Sequence, residues 1–551
     1  MKSRFILNTI LFSGIILLFS CTKDFEEMNQ NPDGFTTASD GSLFNGIVSS
    51  LRPGSNEQLY LQNEIFYKQT QQAALTKEAW GNYPLGTNEM WNSYYGTFAE
   101  ARELERRIDE YENSEIYPQI VAEVTNMKAM LKVIMAYQTF RITDVFGDIP
   151  LFSAGYGFQD LESLYPVYDT QEEIYKYLLD ELKWADDNIN DTAVMDEPFI
   201  SFSTFDNLFF GDLSQWRKFA NSLRLRYAMR MSEKDLAFAE PIIYEIIEEN
   251  RPVFLGWGLT SSALESACMI PINSGFRKGG TDWAFNQHKN LRMGSEIWHM
   301  MSENDSTDGS GIFDPRAYIF FEGNNNEEWV AFPQIPESNT PTSGGLPYSD
   351  KRDSETKFND KGGDCIYSPF NYFLLRDFDY MPIIFITGAE VHFIKAEAYM
   401  RGIGVAQNMG TADNEYMNGI NASIAWWKQT ANTLQLPSSG LRFAEVDTIP
   451  PELGFVTVLN KWGSWFATSD EEKLEFLYAQ RWLDAFRQPV EAFALTRRTG
   501  KTPRVGEPIN YFRLPYPASE VEFNSVNCSN AISSQGGDSP DVKLWWIPDN
   551  Y

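Results

Sequence analysis

The sequence predicts a mainly α-helical protein: a helical-repeat scaffold with one loop-rich side, folded as a single compact domain. Three observations carry that prediction. Apolar residues recur at helical spacing through most of the 551 positions, strand-like runs are short and few, and the helical period fades between about 257 and 380. Composition allows a large core, since 43% of the residues are hydrophobic and 15% aromatic. Gly and Pro are scattered, with no low-complexity block to act as an interdomain linker.

Residues 1–20 read as a bacterial lipoprotein signal peptide. Lys2 and Arg4 precede a mostly apolar run from Phe5 to Phe19, broken by Asn8, Thr9 and Ser13, and Ser20 places a small residue before Cys21. The run falls short of the roughly 20 residues that a spanning helix requires, so cleavage before Cys21 and lipidation of that cysteine are expected. Several acyl chains, each contributing roughly 0.8 kcal/mol per buried methylene, would anchor the mature chain stably. Residues 21–38 then form a polar tether through Asn29-Gln30-Asn31-Pro32-Asp33-Gly34, and residues 39–551 form the folded domain.

Within that domain the helices announce themselves in turn. The stripe Val124, Met127, Leu131, Ile134 and Met135 predicts a helix through Phe140, which Gly147-Asp148-Ile149-Pro150 ends as a turn. Thr170-Gln171-Glu172-Glu173 is a capping box, followed by Ile174, Tyr177, Leu178, Leu182, Ala185 and Ile189 on one face. Trp216, Phe219, Leu223 and Tyr227 define the next helix. Val391, Ile394 and Ala398 define a later one, and Leu474, Tyr478, Trp482 and Phe486 another. Trp216, Trp426, Trp427 and Trp482 lie on such helices and are expected to be core. Between 257 and 380 only the segment from Leu291 to Met301 reads as a helix, and long loops of this kind in a compact body usually carry function.

Charge and chemistry narrow the function. A formal net charge of −31 argues against nucleic acid as a partner, because phosphate binding needs clustered Lys and Arg. Three widely spaced histidines, with no HExxH or CxxC, make zinc chemistry improbable; Cys268, Cys365 and Cys528 permit one disulfide and demand none. No cofactor is expected. Asn304, Ser306, Asp308 and Gly309 partly mimic a calcium loop, but the twelfth position is Pro315 where a bidentate Glu is needed. Gly402-Ile403-Gly404 follows a helix and lacks a third glycine, so it reads as a helix cap rather than a dinucleotide fingerprint. Arg497 and Arg498 are expected to cap carbonyls or pair with carboxylates. Adjacent acids such as Asp186-Asp187 are what a glycosidase would need, yet 76 acidic residues supply such pairs by chance.

Seven segments in order resemble the SusD/RagB family of nutrient-capturing surface lipoproteins. They are the NQNPDG stretch from Asn29, the segment Ala136 to Leu151, Tyr165 to Leu182, Phe209 to Ser232, Ile386 to Gly402, Gln480 to Gly500, and Phe512 to Asn524. The resemblance implies tetratricopeptide-like helix pairs on one side and a variable ligand side. It also implies a non-catalytic lid on a SusC-like TonB-dependent transporter barrel in the outer membrane, holding oligosaccharide or, in some members, oligopeptide. Lys23-Asp24 looks like the signal that sends such lipoproteins to the cell surface.

A sugar asks for exposed aromatic faces that stack on pyranose C–H groups, flanked by amide and guanidinium donors for its hydroxyls. Loop positions offering this are Trp80, Asn82 and Tyr83, placed after a helix ending near Glu78, and Phe276, Arg277, Trp283 and Asn286; Trp329 and Tyr348 are further candidates. The same residues would suit contact with a partner surface.

Overall fold

The computed structural model describes residues 38–77, 81–157, 162–196, 198–199, 201–255, 266–269, 291–304, 306–324, 326–341, 366–371, 382–433 and 449–549. The signal peptide with Cys21, nearly all of the tether, and much of the predicted ligand-loop region lie outside these residues. No described helix is long and apolar enough to cross a membrane.

Helix α1 (Asp40–Ser49) opens on Ser39, whose hydroxyl accepts the Ser42 amide. A π-helical run over Glu57–Phe66 follows, tightening into one α-turn at Tyr67–Thr70 and stopping at Gln71, which is left-handed at φ 59°. The helix expected near Glu78 therefore ends at Thr70. The two longest described helices come next, α2 (Tyr83–Glu112) and α3 (Tyr117–Phe146), each with a proline in its first turn where no backbone donor is lost. A four-residue connection makes them neighbours.

The capping box at Thr170 forms as read, with hydroxyl and Glu173 carboxylate each satisfying the other's amide, and starts α4 (Gln171–Asn188). One member of its predicted stripe is corrected: Tyr177 is 39% exposed and Tyr175 is buried instead. Asp212 caps α5 (Leu213–Met231), Asp235 caps α6 (Leu236–Glu248), and α2 to α6 pack in sequence, each on the next. Trp216, Phe219, Leu223 and Tyr227 are all fully buried. From Val124 onward α3 is apolar on most of its circumference and runs through the middle of the first core.

The loop-rich half contains more regular structure than the sequence suggested. Antiparallel pairs join β1 (Ala74–Leu75) to β3 (Leu291–Arg292) and β2 (Ser266–Met269) to β4 (Ile383–Thr387), the latter bulged between Ala267 and Cys268. The expected helix is short, α7 (Ser295–Met301), and a second one, α8 (Arg316–Phe320), accompanies it. Cys268 and Cys528 are buried free thiols, and burial pushes the Cys268 thiol up to about 12.

A second core gathers α7, α8, α10 (Met409–Thr433), α11 (Phe455–Trp462) and α12 (Asp470–Asp484) around α9 (Gly388–Arg401). Helix α9 joins the two cores, turning Val391, Ile394 and Ala398 to the first and Ala389, Phe393 and Ala396 to the second. Its end at Gly402 is a left-handed cap at φ 70°, and at Gly404 a side chain would meet the Glu240 carbonyl at 2.7 Å, so both glycines serve helix packing. Helix α13 (Pro489–Thr499) and the C-terminal α14 (Ala518–Phe523) and α15 (Ser525–Ser534) complete the order.

Two glutamates of α9 carry the ionic framework between these layers. Glu390 accepts from Arg226 at 2.9 Å and from Arg481 at 2.8 Å. Glu397 takes both terminal nitrogens of Arg498 at 2.7 Å, with Arg401 and Tyr478 at 2.9 Å. Neighbouring Arg497 instead donates to the Asp144 and Phe512 carbonyls. The arginine pair is thus structural, as its sequence context implied.

Candidate ligand-binding surface

Three distant segments converge at Gln71, just past the π-helical run on which the start of α2 packs. The first is the chain leaving the π-helical run. Gln71 holds its left-handed backbone by exchanging two side-chain hydrogen bonds with Val505, each 3.0 Å. The second is the strand-like stretch before Ile335, where the Gln334 amide donates to the Gln71 and Ala73 carbonyls at 3.0 and 3.2 Å. Gly294 permits that approach, since an added Cβ would collide with the Gln334 amide nitrogen and come within 3.3 Å of the Ala73 backbone. The third is the segment after α13, where Arg504 donates to the Gln69 carbonyl at 2.7 Å and the Ile335 side chain crosses Gly506.

Helix α2 itself begins against the π-helical run, where Gly86 lies on Leu61 and the Asn56 carbonyl. Gly81 has φ 75° and open space around it, Asn82 is exposed, and Tyr83 presents 39% of its surface beside Leu85 at 49%. Tyr511 lies close by; burial raises its phenol well above the ordinary value, with Tyr83 adding to the rise. Ile335 (61% exposed) and Val505 add apolar surface next to the polar groups of Gln334 and Arg504. An open aromatic with an adjacent amide is what a hydroxylated, partly apolar ligand requires.

Of the candidate contact residues, Asn82 and Tyr83 are exposed. Trp80, Phe276, Arg277, Trp283, Asn286 and Tyr348 lie outside the described residues. Trp329 is placed differently from a ligand platform: it is 8% exposed, its ring stacks on Trp298 at 5.9 Å and 9°, and Tyr318 meets it edge-on at 5.2 Å. Gln334, Arg504 and Val505 brace the chain around Gln71. Nothing local marks that junction, because its contacts span hundreds of residues.

Other chemistry suggested by the sequence resolves into structure. Asp186, Asp187 and Glu245 bring carboxylate oxygens within 4.8 Å of one another. Arg217 reaches Asp186 at 2.9 Å, Arg224 and Arg251 reach Glu245 at 2.6 and 2.8 Å, and Lys183 bridges Asp187 and Glu245. The acids are neutralised by side-chain cations, which makes this an ion cluster between α4, α5 and α6. In the loop resembling a calcium site, Asn304 accepts the Ser306 amide, and Asp308 accepts Ser310 N and Ser306 Oγ at 2.9 and 2.7 Å. Those hydrogen bonds, led by Ser310, hold the Asp308 carboxyl down at about 2.

A separate apolar surface forms on the flank. Asn524 donates to the Pro166 carbonyl at 2.9 Å and Asn527 to the Tyr165 carbonyl at 3.0 Å, locking the C-terminal helices against the segment before α4. Leu164, Tyr165, Val167, Val521, Phe523 and Val526 are all exposed there, Phe523 at 69% and Val526 at 72%.

Comparison with known proteins places the chain in a family. A model of the SusD-like family, described as starch-binding and associating with the outer membrane, matches residues 32–511. No curated protein matches the chain. Among solved structures, a chitin-binding protein is similar at 20% identity and TM-score 0.67, covering 92% of this chain and all of that one. A SusD homologue from Parabacteroides distasonis is also 20% identical with TM-score 0.67, covering 93% and 98%. Another, from Bacteroides thetaiotaomicron, is 21% identical with TM-score 0.62, covering 93% and 100%. At these identities the shared property is the fold.

Proposed function

This chain belongs to the SusD-like family of starch-binding proteins associating with the outer membrane, and from that premise we propose that it is a non-catalytic lipoprotein that binds oligosaccharide and delivers it to a SusC-like TonB-dependent barrel as the barrel's lid. Lipidation at Cys21 would hold it at the outer membrane, facing the cell surface. The observation that carries the carbohydrate reading is the Asn82–Tyr83 step, an exposed amide beside an exposed phenol. Selectivity would come from ring stacking and hydroxyl hydrogen bonds on a surface that needs little rearrangement. Calorimetric titration against a panel of polysaccharides and peptides tests this: glycan binding without peptide binding agrees with it, and the reverse assigns an oligopeptide instead. Release of shorter sugars during incubation would contradict the non-catalytic reading.

For the barrel, the apolar flank around Phe523 is the surface we assign. Apolar patches on monomers mark partner sites when they are contiguous and rimmed by polar groups. Phe523→Asp is expected to reduce co-purification with the barrel by about tenfold, since a buried aromatic anchor dominates interface energy. Glycan affinity should stay unchanged. Unchanged co-purification would remove this flank from the interface.

A further inference from the structure

The turn after α11 carries a second aromatic surface. Helix α11 ends at Trp462, and Gly463 leads into a 3-10 turn over Ser464–Phe466. Trp465 is 57% exposed and Phe466 51%, with ring centroids 5.8 Å apart and planes inclined at 48°. A Cβ on Gly463 would collide with the Trp465 ring, so the indole lies directly on the glycine backbone. One side of the ring is supported and much of the rest meets solvent.

This exposure is built into a fixed frame. Trp462 donates from Nε1 to the Met300 carbonyl at 3.0 Å, and its own carbonyl accepts the Tyr416 hydroxyl at 2.7 Å. The Phe466 amide closes the turn on the Gly463 carbonyl at 3.0 Å, and the Thr468 hydroxyl bonds Glu472 at 2.6 Å. Thr457 donates to the Phe313 carbonyl at 2.6 Å, which, with the Lys461–Glu303 ion pair, fastens α11 to the loop-rich half. A turn held at so many points presents its two rings without a further ordering cost.

The surroundings select the kind of ligand. Thr468, Ser469, Asp470 and Glu471, all exposed, follow the two rings in the chain, and Lys461 and Glu303 are each more than 40% exposed at the same end of α11. A protein interface favours a contiguous apolar area such as the flank around Phe523, whereas a pyranose needs one aromatic face and a polar rim for its hydroxyls. We infer that Trp465 and Phe466 form a second saccharide-stacking subsite, separate from Asn82–Tyr83, that engages the extended part of a polysaccharide. The inference rests on the carbohydrate reading above.

The test is affinity electrophoresis of wild type and Trp465→Ala in gels containing soluble starch, glycol chitin or xylan. Calorimetry with the trisaccharide of whichever polymer retards the wild type completes it. Trp465→Ala should lose about tenfold in affinity for the polymer while trisaccharide affinity stays within error, because only a long chain reaches both surfaces. An unchanged melting temperature checks that the variant is folded, as expected for an exposed ring. If the variant is retarded like wild type, or loses trisaccharide affinity equally, the second subsite is wrong while carbohydrate binding stands. If no polymer retards the wild type, the carbohydrate reading fails and takes the subsite with it. Loss of barrel co-purification with polymer affinity intact would make the turn a partner contact and overturn the inference.

Discussion

Glu397→Gln is expected to destabilise the protein by about 3–5 kcal/mol, the cost of leaving buried guanidinium charge uncompensated. The carboxylate is fully buried in α9 and is held by Arg498 at both oxygens, by Arg401 and by Tyr478. Gln keeps the volume and removes the charge, so the loss reads electrostatics rather than packing. Burial alone would raise the Glu397 carboxyl, but the Arg498 guanidinium, followed by Arg401 and Arg481, overrides it and holds it at about 2. A carboxyl depressed in the folded state contributes stability above its ordinary value of 4.5, and that contribution is lost as pH falls from 4.5 toward 2. Thermal melts across pH 7 to 3 check both points: wild type should lose stability steeply at the acid end, and Glu397→Gln should be lower at neutral pH with a shallower acid slope.

Trp482→Ala should cost about 3–5 kcal/mol as a fully buried aromatic is removed and a cavity left, and it should disturb the ligand surface as well. Its indole nitrogen donates to the Thr70 carbonyl at 2.9 Å, and its carbonyl accepts the Gln72 amide at 2.5 Å. Those contacts flank Gln71, whose left-handed backbone starts the segment that leads to Asn82 and Tyr83. Trp482→Phe retains most of the ring volume while losing the indole donor. It should therefore cost less stability, about 1–3 kcal/mol for the carbonyl left unanswered, yet still weaken ligand binding. Denaturant unfolding paired with calorimetry separates the two effects. Full ligand affinity in Trp482→Phe would break the proposed link between core and surface.

The helical half was legible because its signals are local. Thr170 and Glu173 cap α4 through each other, and the apolar periods of α3, α5 and α9 bury the residues they name. Tyr177 went astray because Tyr175 and Tyr177 are equally apolar and only packing against Phe140 and Asp144 decides that Tyr175 turns inward. The π-helical run was invisible for a related reason. Its buried Glu57 is paired with Arg141, a partner 84 residues away, so a polar stretch became core. The proposed ligand surface and the junction near Gln71 differ in this respect. Asn82 and Tyr83 are recognisable as polar and aromatic residues outside a periodic run, whereas Gln334 and Val505 meet Gln71 across 263 and 434 residues. Trp329 shows the converse: a tryptophan in irregular sequence that satisfies Trp298 and Tyr318 instead of a ligand.

The most direct test of the central claim is a calorimetric titration of wild type and Tyr83→Ala with oligosaccharides of starch, chitin and xylan, with the sugars analysed afterwards for cleavage. The account predicts that wild type binds one of these without shortening it and that Tyr83→Ala, still folded because the ring is exposed, loses at least about tenfold in affinity. Equal affinity in the two proteins, or shortened sugar in the recovered sample, would contradict it.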